Sequence, residues 1–208
     1  MSDWLKDPAE IYRRSFATIR AEAHLDRLPE PVRPIAVRMI HACGMVDLAD
    51  DLRAGGDPAT AAGTALRDGR PILVDARMVA AGFLADRLPA ATRIVCGLEN
   101  PALADAAAAM ATTRSAALVT RWRPHLDGAV VVIGNAPTAL FQLLDDLRQG
   151  AARPAAIIAT PVGFVGAAES KQALVEAELG IPFVTVLGRR GGSAMAAAAL
   201  NACLVGAG

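Results

Sequence analysis

The 208-residue sequence contains few aromatic residues, few cysteines and almost no lysine. Its one Tyr and two Trp all precede residue 123, so the C-terminal part offers neither residue for stacking on a flavin ring. The three cysteines, Cys43, Cys96 and Cys203, lack metal-ligand spacing. Because their number is odd and each lies in an apolar element, we expect reduced, buried thiols and no metal site.

The sequence also lacks an excess of charge. Its 21 basic and 21 acidic residues cancel, which argues against nucleic acid or an anionic membrane as the main partner. The first 16 residues contain no apolar leader core, and residues 191–208 are too rich in Ala and Gly for a membrane span. We therefore expect a cytoplasmic protein with no membrane partner.

Short apolar runs alternate with helical patterns from residue 71 onward. The runs are PILVD, RIVCG, AVVVIG, AAIIAT and IPFVTVL. Strands that are apolar on both faces and separated by helices indicate a parallel sheet covered on both sides. We predict one domain over residues 1–208: a helical N-terminal part without strands (1–70) and an α/β core (71–208). The core is expected to be a three-layer, flavodoxin-like α/β/α fold with five parallel strands in the order 2-1-3-4-5.

A histidine, His41, lies near the end of a predicted amphipathic helix over residues 29–43. The apolar stripe of this helix consists of Val32, Ile35, Ala36, Met39, Ile40 and Cys43. The opposite face carries Pro34, Val37, Arg38 and His41. Gly44 is suited to end the helix, and the negative end of the helix dipole favours a protonated imidazole in the last turn. These residues alone leave two interpretations open, a solvated helix-end side chain and a catalytic acid.

Four loops are expected at one rim of the sheet, beyond the carboxyl ends of the parallel strands, where ligands bind in such folds. They are VDARM (74–78), IGNAPTAL (133–140), ATPVGFV (159–165) and LGRRGGS (187–193). Each loop leads into a predicted helix and so presents backbone N–H groups to the rim. Asn135 precedes the helix of the second loop in an ordinary capping arrangement, and its rim position makes it a candidate ligand.

The LGRRGGS loop is the strongest anion-binding candidate. Its glycines, Gly192 among them, permit a tight turn, and Arg189 and Arg190 add two guanidinium groups. Its pattern is neither a Walker A motif nor the GxGxxG fingerprint, so it does not name the anion. Lys171, in the preceding helix, is expected to be a solvated residue.

No catalytic cluster emerges from spacing, since the sequence contains neither HExxH nor GxSxG. Seven motifs, however, resemble the precorrin-8X methylmutase family of cobalamin biosynthesis, in this order along nearly the whole chain. They are IYRRSF, VRMIHACG, ILVDARMV, TRSAA, IGNAPTALF, PVGFVGAAESK and GRRGGSAMAAAALNA. Arg77, in DARMV, is the one departure from the family pattern.

The resemblance implies migration of a methyl group from C11 to C12 of ring C of a corrinoid, giving hydrogenobyrinate without a cofactor or metal. It assigns the essential histidine to His41 and a substrate-contacting serine to Ser15. A proton lent by His41 would favour the tautomer that permits a [1,5] shift. The substrate's carboxylates call for donors around the site. The candidates are Arg14, Arg38, Arg114, Asn135, Arg189, Arg190 and Gly192.

The resemblance further implies a homodimer with shared active sites and a tightly bound product. Three alternatives stay open. The first is a corrinoid carrier that performs no reaction, and the second is the cobalt-precorrin-8 methylmutase of the cobalt-first pathway. The third is a flavodoxin-like protein that binds a nucleotide or flavin at GRRGGS.

Overall fold

The computed structural model describes residues 4–205 and contains one six-stranded sheet. The strands are β1 (Leu52–Gly55), β2 (Ile72–Val74), β3 (Ile94–Val95), β4 (Val130–Ile133), β5 (Ala156–Ala159) and β6 (Phe183–Val186). Their order is β1-β6-β5-β4-β2-β3. Strands β2 to β6 are parallel and follow the predicted order 2-1-3-4-5, which confirms that part of the fold.

The predicted strand count was wrong, because β1 adds a sixth strand from the N-terminal part, which was expected to contain none. This strand pairs antiparallel with β6, with Leu52 opposite Val186 and Gly55 opposite Phe183. Its four residues, LRAG, carry no long apolar run. Its strand conformation therefore depends on pairing with the edge of the sheet, a tertiary contact that local sequence does not reveal.

Ten α-helices occur in the described residues; the helix predicted over residues 29–43 is observed as α2 (Arg33–Cys43), four residues shorter at its start. They are α1 (Pro8–Glu22), α2 (Arg33–Cys43), α3 (Leu48–Asp51), α4 (Pro58–Arg67), α5 (Arg77–Ala80), α6 (Ala102–Ala109), α7 (Arg114–Thr120), α8 (Pro137–Arg148), α9 (Ala167–Glu176) and α10 (Ser193–Val205). Short 3-10 turns span Leu25–Arg27, Glu30–Val32 and Arg123–His125. Asp7 caps the start of α1, because its carboxylate accepts a hydrogen bond from Ala9 N–H.

Alternate residues of the central strands enter two apolar layers on opposite faces of the sheet. Val130 and Val132 of β4 pack with α2, α4 and α10, whereas Val131 and Ile133 pack with α7 and α8. Burial on both faces explains why these strands are continuously apolar. The α1 helix lies outside these layers over most of its length and packs against α2.

The order of strands changes direction between β2 and β4. The chain leaves β2 toward β3 on one side of the sheet, whereas β4 and β5 follow on the other. A crevice for ligands forms at such a point, outside the carboxyl ends of the strands. The loops after β2 and β4 therefore lie at this rim, as predicted.

Candidate active site

His41 occupies the last turn of α2 and is exposed, as its position off the apolar stripe predicts. Gly44 ends the helix in the left-handed conformation with φ of 72°, and its N–H donates to the Ile40 carbonyl. Val37, predicted to share the outer face with His41, is instead buried, at 4% exposure. This part of the prediction was wrong, because Val37 belongs to an apolar cluster that includes Ile19 of α1.

Three residues of α1 surround the His41 ring, and we call the four side chains the His41 cluster. The Ser15 hydroxyl lies 2.8 Å from Nδ1 of His41. The Tyr12 and Phe16 rings have their centroids 5.3 and 5.2 Å from the imidazole centroid. Because Ser15 engages Nδ1, the hydroxyl holds the ring orientation, and Nε2 is the nitrogen left to meet a bound molecule.

Helical spacing on α1 creates this cluster. Tyr12, Ser15 and Phe16 are separated by three and four residues, so their side chains project from one face of the helix. The same face meets the end of α2. The resemblance assigned Ser15 and His41 to one site, and the fold places them in direct contact although 26 residues separate them in the sequence.

Asp75 follows β2 and binds the loop after β4 through its buried carboxylate. Its Oδ1 accepts a hydrogen bond from Gly134 N–H at 3.0 Å, and its Oδ2 accepts from Asn135 and Ala136 N–H at 2.9 and 2.7 Å. Burial raises the pKa of Asp75, and the three backbone donors oppose this shift. The carboxylate thereby sets the backbone position of Asn135 at the rim.

Sequence reasoning missed Asp75 as a functional residue, although one signal pointed to it. A carboxylate directly after a fully apolar strand, at the carboxyl edge of a parallel sheet, is a buried polar group that needs partners. Its partners are backbone amides about 60 residues further along the chain, and no side-chain pattern marks them.

Arg190 connects the sheet rim with the segment that follows α2. We call residues 187–192 the arginine loop. The Arg190 guanidinium donates to Asp47 Oδ2 at 2.7 Å and forms a second ion pair with Asp51. Asp47 lies four residues beyond the end of α2, so these ion pairs join the arginine loop to the part of the chain that carries His41. These ion pairs already occupy the guanidinium that was predicted to bind substrate.

Arg189 has a different environment from its neighbour. It is exposed, and its guanidinium carbon lies 5.4 Å from the centre of the Phe164 ring on the adjacent rim loop. Gly192 N–H donates to the Thr160 carbonyl at 2.7 Å, which fastens the loop to the end of β5. A Cβ at Gly191 would lie 2.2 Å from the same carbonyl oxygen, so the close approach requires glycine.

The remaining candidate arginines lie in two groups. Arg38 places its guanidinium carbon 5.7 Å from the Phe16 ring centre, beside the His41 cluster. Arg14 is on α1 next to Ser15 and pairs with Glu10 at 2.6 Å. Within this first group, Arg38 is therefore close to the imidazole, whereas Arg14 pairs with Glu10 on a different face of α1 from Tyr12 and Phe16.

Arg114 forms the second group, together with Asn135. It is the exposed first residue of α7, and the preceding Thr113 hydroxyl donates to the Thr138 hydroxyl at 2.7 Å. That bond joins the start of α7 to the start of α8, so Arg114 and Asn135 share the rim. Arg77, the departure from the family pattern, is exposed at the start of α5.

Lys171 is fully buried, so its prediction as a solvated helix residue was wrong. Its Nζ donates a hydrogen bond to the backbone carbonyl of Arg190. Burial lowers the pKa of Lys171 to about 8, while the Asp51 carboxylate opposes this shift. The helical pattern of α9 hides this burial because the covering residues belong to the arginine loop, which follows later in the sequence.

All three cysteines are free thiols, as predicted, but only Cys203 is buried; Cys43 and Cys96 are half-buried. Within residues 4–205, no three His, Cys, Asp or Glu side chains are grouped in a way that could hold a metal ion. The same residues include no helix with the length and apolar character needed to cross a membrane.

Comparison with known proteins identifies the family. The CbiC precorrin-8X methylmutase family model matches residues 10–205. The chain belongs to the precorrin-8X methylmutase family. It is therefore an isomerase of the intramolecular transferase type, which shifts a methyl group within its substrate. The carrier, nucleotide-binding and flavin-binding alternatives are not favoured.

Individual relatives agree with this assignment. The chain is 56% identical to a precorrin-8X methylmutase of Pseudomonas aeruginosa, over 97% of each chain. It is 35% identical to a cobalt-precorrin-8 methylmutase of Priestia megaterium, over 94% of this chain and 86% of that one. A solved precorrin-8X methylmutase structure from Thermus thermophilus shares 38% identity and superposes with a TM-score of 0.84, covering 95% of both chains.

Proposed function

We propose that this enzyme moves a methyl group from C11 to C12 of ring C of precorrin-8X, giving hydrogenobyrinate, with His41 as the catalytic acid. The observation that carries this proposal is the 2.8 Å contact between Ser15 and His41 at an exposed helix end. It unites the two residues that the family resemblance assigns to the active site, and it leaves Nε2 available to a ligand.

The reaction is an isomerisation, so atoms and electrons balance without a second reactant. His41 lends a proton to a ring-C nitrogen or a peripheral position of the macrocycle, which favours the tautomer that permits a [1,5] methyl shift. The methyl bond to C11 breaks as the bond to C12 forms, and the proton then returns to His41. Ser15 keeps the imidazole oriented for both transfers.

The surroundings of His41 suit a large, flat substrate with many carboxylates. Tyr12 is 53% exposed and presents an apolar ring beside the imidazole. Arg38 lies beside the Phe16 ring of the His41 cluster, and Arg114 and Arg189 lie at the sheet rim, so guanidinium groups are spread over a wide area. A corrinoid combines an apolar disc with peripheral acetate and propionate groups, which this distribution fits.

An absorbance time course with precorrin-8X tests the activity. Conversion to hydrogenobyrinate changes the conjugated system, so the substrate spectrum should be replaced by the product spectrum with isosbestic points. Tight binding with an unchanged substrate spectrum would refute catalysis and favour a carrier. Because the product is expected to stay bound, the rate of conversion should fall once the concentration of product equals that of the enzyme.

We further propose that the physiological substrate lacks cobalt. The support is the higher identity, 56%, to a precorrin-8X methylmutase than to a cobalt-precorrin-8 methylmutase, at 35%. Measurement of kcat/KM for precorrin-8X and cobalt-precorrin-8 tests this proposal. A higher value for cobalt-precorrin-8 would contradict it.

We also propose a homodimer with shared active sites in the cytoplasm. Phe164 and Val165 on the loop after β5 are 84% and 89% exposed, and Phe164 contacts Arg189. Large apolar side chains exposed beside a binding region favour a partner surface. Sedimentation at micromolar concentration should give a dimer, and a fully active monomer would contradict the proposal. The free thiols of Cys43, Cys96 and Cys203 support a reducing compartment.

A further inference from the structure

The arginine loop is held at both ends by backbone hydrogen bonds. At its start, Leu187 N–H donates to the Asp51 carbonyl at 2.9 Å, and at its end, Gly192 N–H donates to the Thr160 carbonyl at 2.7 Å. Between these points, the loop carries Arg189 and Arg190. Two side-chain interactions fix this middle portion.

Lys171 supplies the first of these interactions, from α9. Its side chain has 0% exposure, and its Nζ donates to the carbonyl oxygen of Arg190. The Arg190 side chain supplies the second, because its guanidinium pairs with Asp47 and Asp51. The backbone and side chain of one residue are thus fixed by groups from different elements, and Arg189 beside it is left exposed.

Stability alone does not explain an ammonium group at this position. Burial of a charged group opposes folding unless the interactions it makes offset the lost hydration. Its hydrogen-bond acceptor here is the Arg190 carbonyl, and the charged groups around it are Asp51 and Arg190 itself. The depressed pKa of Lys171, about 8, agrees with an ammonium that is incompletely compensated. The hydrogen bond to the Arg190 carbonyl therefore indicates a role for Lys171 in holding the arginine loop.

We propose that Lys171 is a positioning residue that, together with Arg190, fixes the arginine loop so that the exposed Arg189 faces carboxylates of the substrate. Arg190 thereby acts through the loop and not by contact with substrate. This inference rests on the proposed function for the identity of the ligand, whereas the fixing of the loop does not depend on it.

The first experiment measures the loop without any ligand. Hydrogen exchange of peptides covering residues 187–193 is compared in wild type, Lys171→Met and Gln172→Met. Gln172 is an exposed neighbour on the same helix, so its replacement is the matched control. The amides of Leu187 and Gly192 should exchange about tenfold faster in Lys171→Met only, because local opening becomes easier. A β4 peptide, residues 130–133, should stay unchanged in all three proteins.

The second experiment separates binding from chemistry. With precorrin-8X as substrate, Lys171→Met should raise KM about fivefold or more and leave kcat within about twofold, since positioning of carboxylate donors acts on binding. Gln172→Met should match wild type in both constants. If Lys171→Met does not fold, Arg190→Gln provides the same readouts, because this side chain is 30% exposed and its loss leaves no cavity in the core.

The outcomes are distinct. Unchanged exchange over 187–193 in both Lys171→Met and Arg190→Gln would overturn the proposal, and so would a fall in kcat with an unchanged KM. Faster exchange together with a raised KM supports it. If wild type neither binds nor converts precorrin-8X while exchange still responds, the loop-fixing role stands and the proposed function fails.

Discussion

The His41 cluster and the sheet rim are built in opposite ways. His41 is exposed and held by one side-chain hydrogen bond and two aromatic contacts, whereas Asp75 is buried and accepts three backbone hydrogen bonds. The first arrangement leaves a ring nitrogen accessible to a large molecule, and the second fixes main-chain positions around it. The proposed catalytic group thus lies on the helical N-terminal part, while buried polar groups of the α/β core set the geometry of its loops.

Replacement of His41 tests the exposed region and has the largest expected effect. His41→Ala should lower kcat by about two to four orders of magnitude, the usual range for loss of a general acid or base. The free energy of unfolding should change by less than about 1 kcal/mol, because the side chain is exposed. Stopped-flow or steady-state absorbance measures the rate, and urea denaturation measures the stability.

His41→Asn serves as the control for hydrogen bonding. It keeps a polar side chain near Ser15 but transfers no proton, so it should be as slow as His41→Ala. Both variants should still bind precorrin-8X and retain its spectrum. Conversion near the wild-type rate by either variant would remove His41 from the chemistry.

Replacement of Asp75 tests the buried region and should act on stability first. Asp75→Asn preserves volume but places an amide donor against backbone donors, which leaves buried N–H groups unpaired. The free energy of unfolding should fall by about 2 to 4 kcal/mol, given the usual cost of such groups. The control is Asp127→Asn, at a side chain that is 78% exposed. It should change the free energy of unfolding by less than about 0.5 kcal/mol. Equal stabilities of the two variants would show that the three hydrogen bonds contribute little.

The contrast between the regions also explains what the sequence predicts and what it hides. Periodicity predicted that His41 lies exposed at a helix end, off the apolar stripe, and apolar runs predicted the five parallel strands. The buried Lys171 and the strand at Leu52–Gly55 were missed. Both depend on elements that follow much later in the chain, the arginine loop and β6, and local patterns carry no record of such pairings.

Arg190 shows the same limit at a single residue. Its loop pattern predicted an anion site, yet the fold directs its guanidinium to Asp47 and Asp51. Neither acidic residue could be matched to it by spacing, since about 140 positions intervene. The family resemblance supplied Ser15, which its own local sequence did not distinguish from an ordinary helix residue.

Arg114 probes the rim with a smaller expected effect on binding. Arg114→Ala should weaken the affinity for hydrogenobyrinate by about 1 to 3 kcal/mol if its guanidinium meets a carboxylate in a partly dry site. Added salt should weaken wild-type binding for the same reason. Fluorescence or absorbance titration gives the Kd. Arg121→Ala, an exposed arginine one helix length away, is the control, and identical titrations for the two variants would exclude Arg114 from the site.

Ser15 gives the smallest expected effect and connects the two halves of the comparison, because we propose that it orients the catalytic His41. Ser15→Ala removes the 2.8 Å contact to Nδ1 of His41 and frees the ring to rotate. Loss of one such hydrogen bond, about 0.5 to 1.5 kcal/mol, should lower kcat by about two- to tenfold. Thr18→Ala, at an exposed site one turn further along α1, is the control and should have wild-type kcat.

The double variant Ser15→Ala with His41→Ala gives the decisive measurement. If Ser15 acts by orienting His41, its removal should have no further effect once the imidazole is gone. If the factors by which the two single variants lower kcat multiply in the double variant, Ser15 contacts the substrate independently of His41.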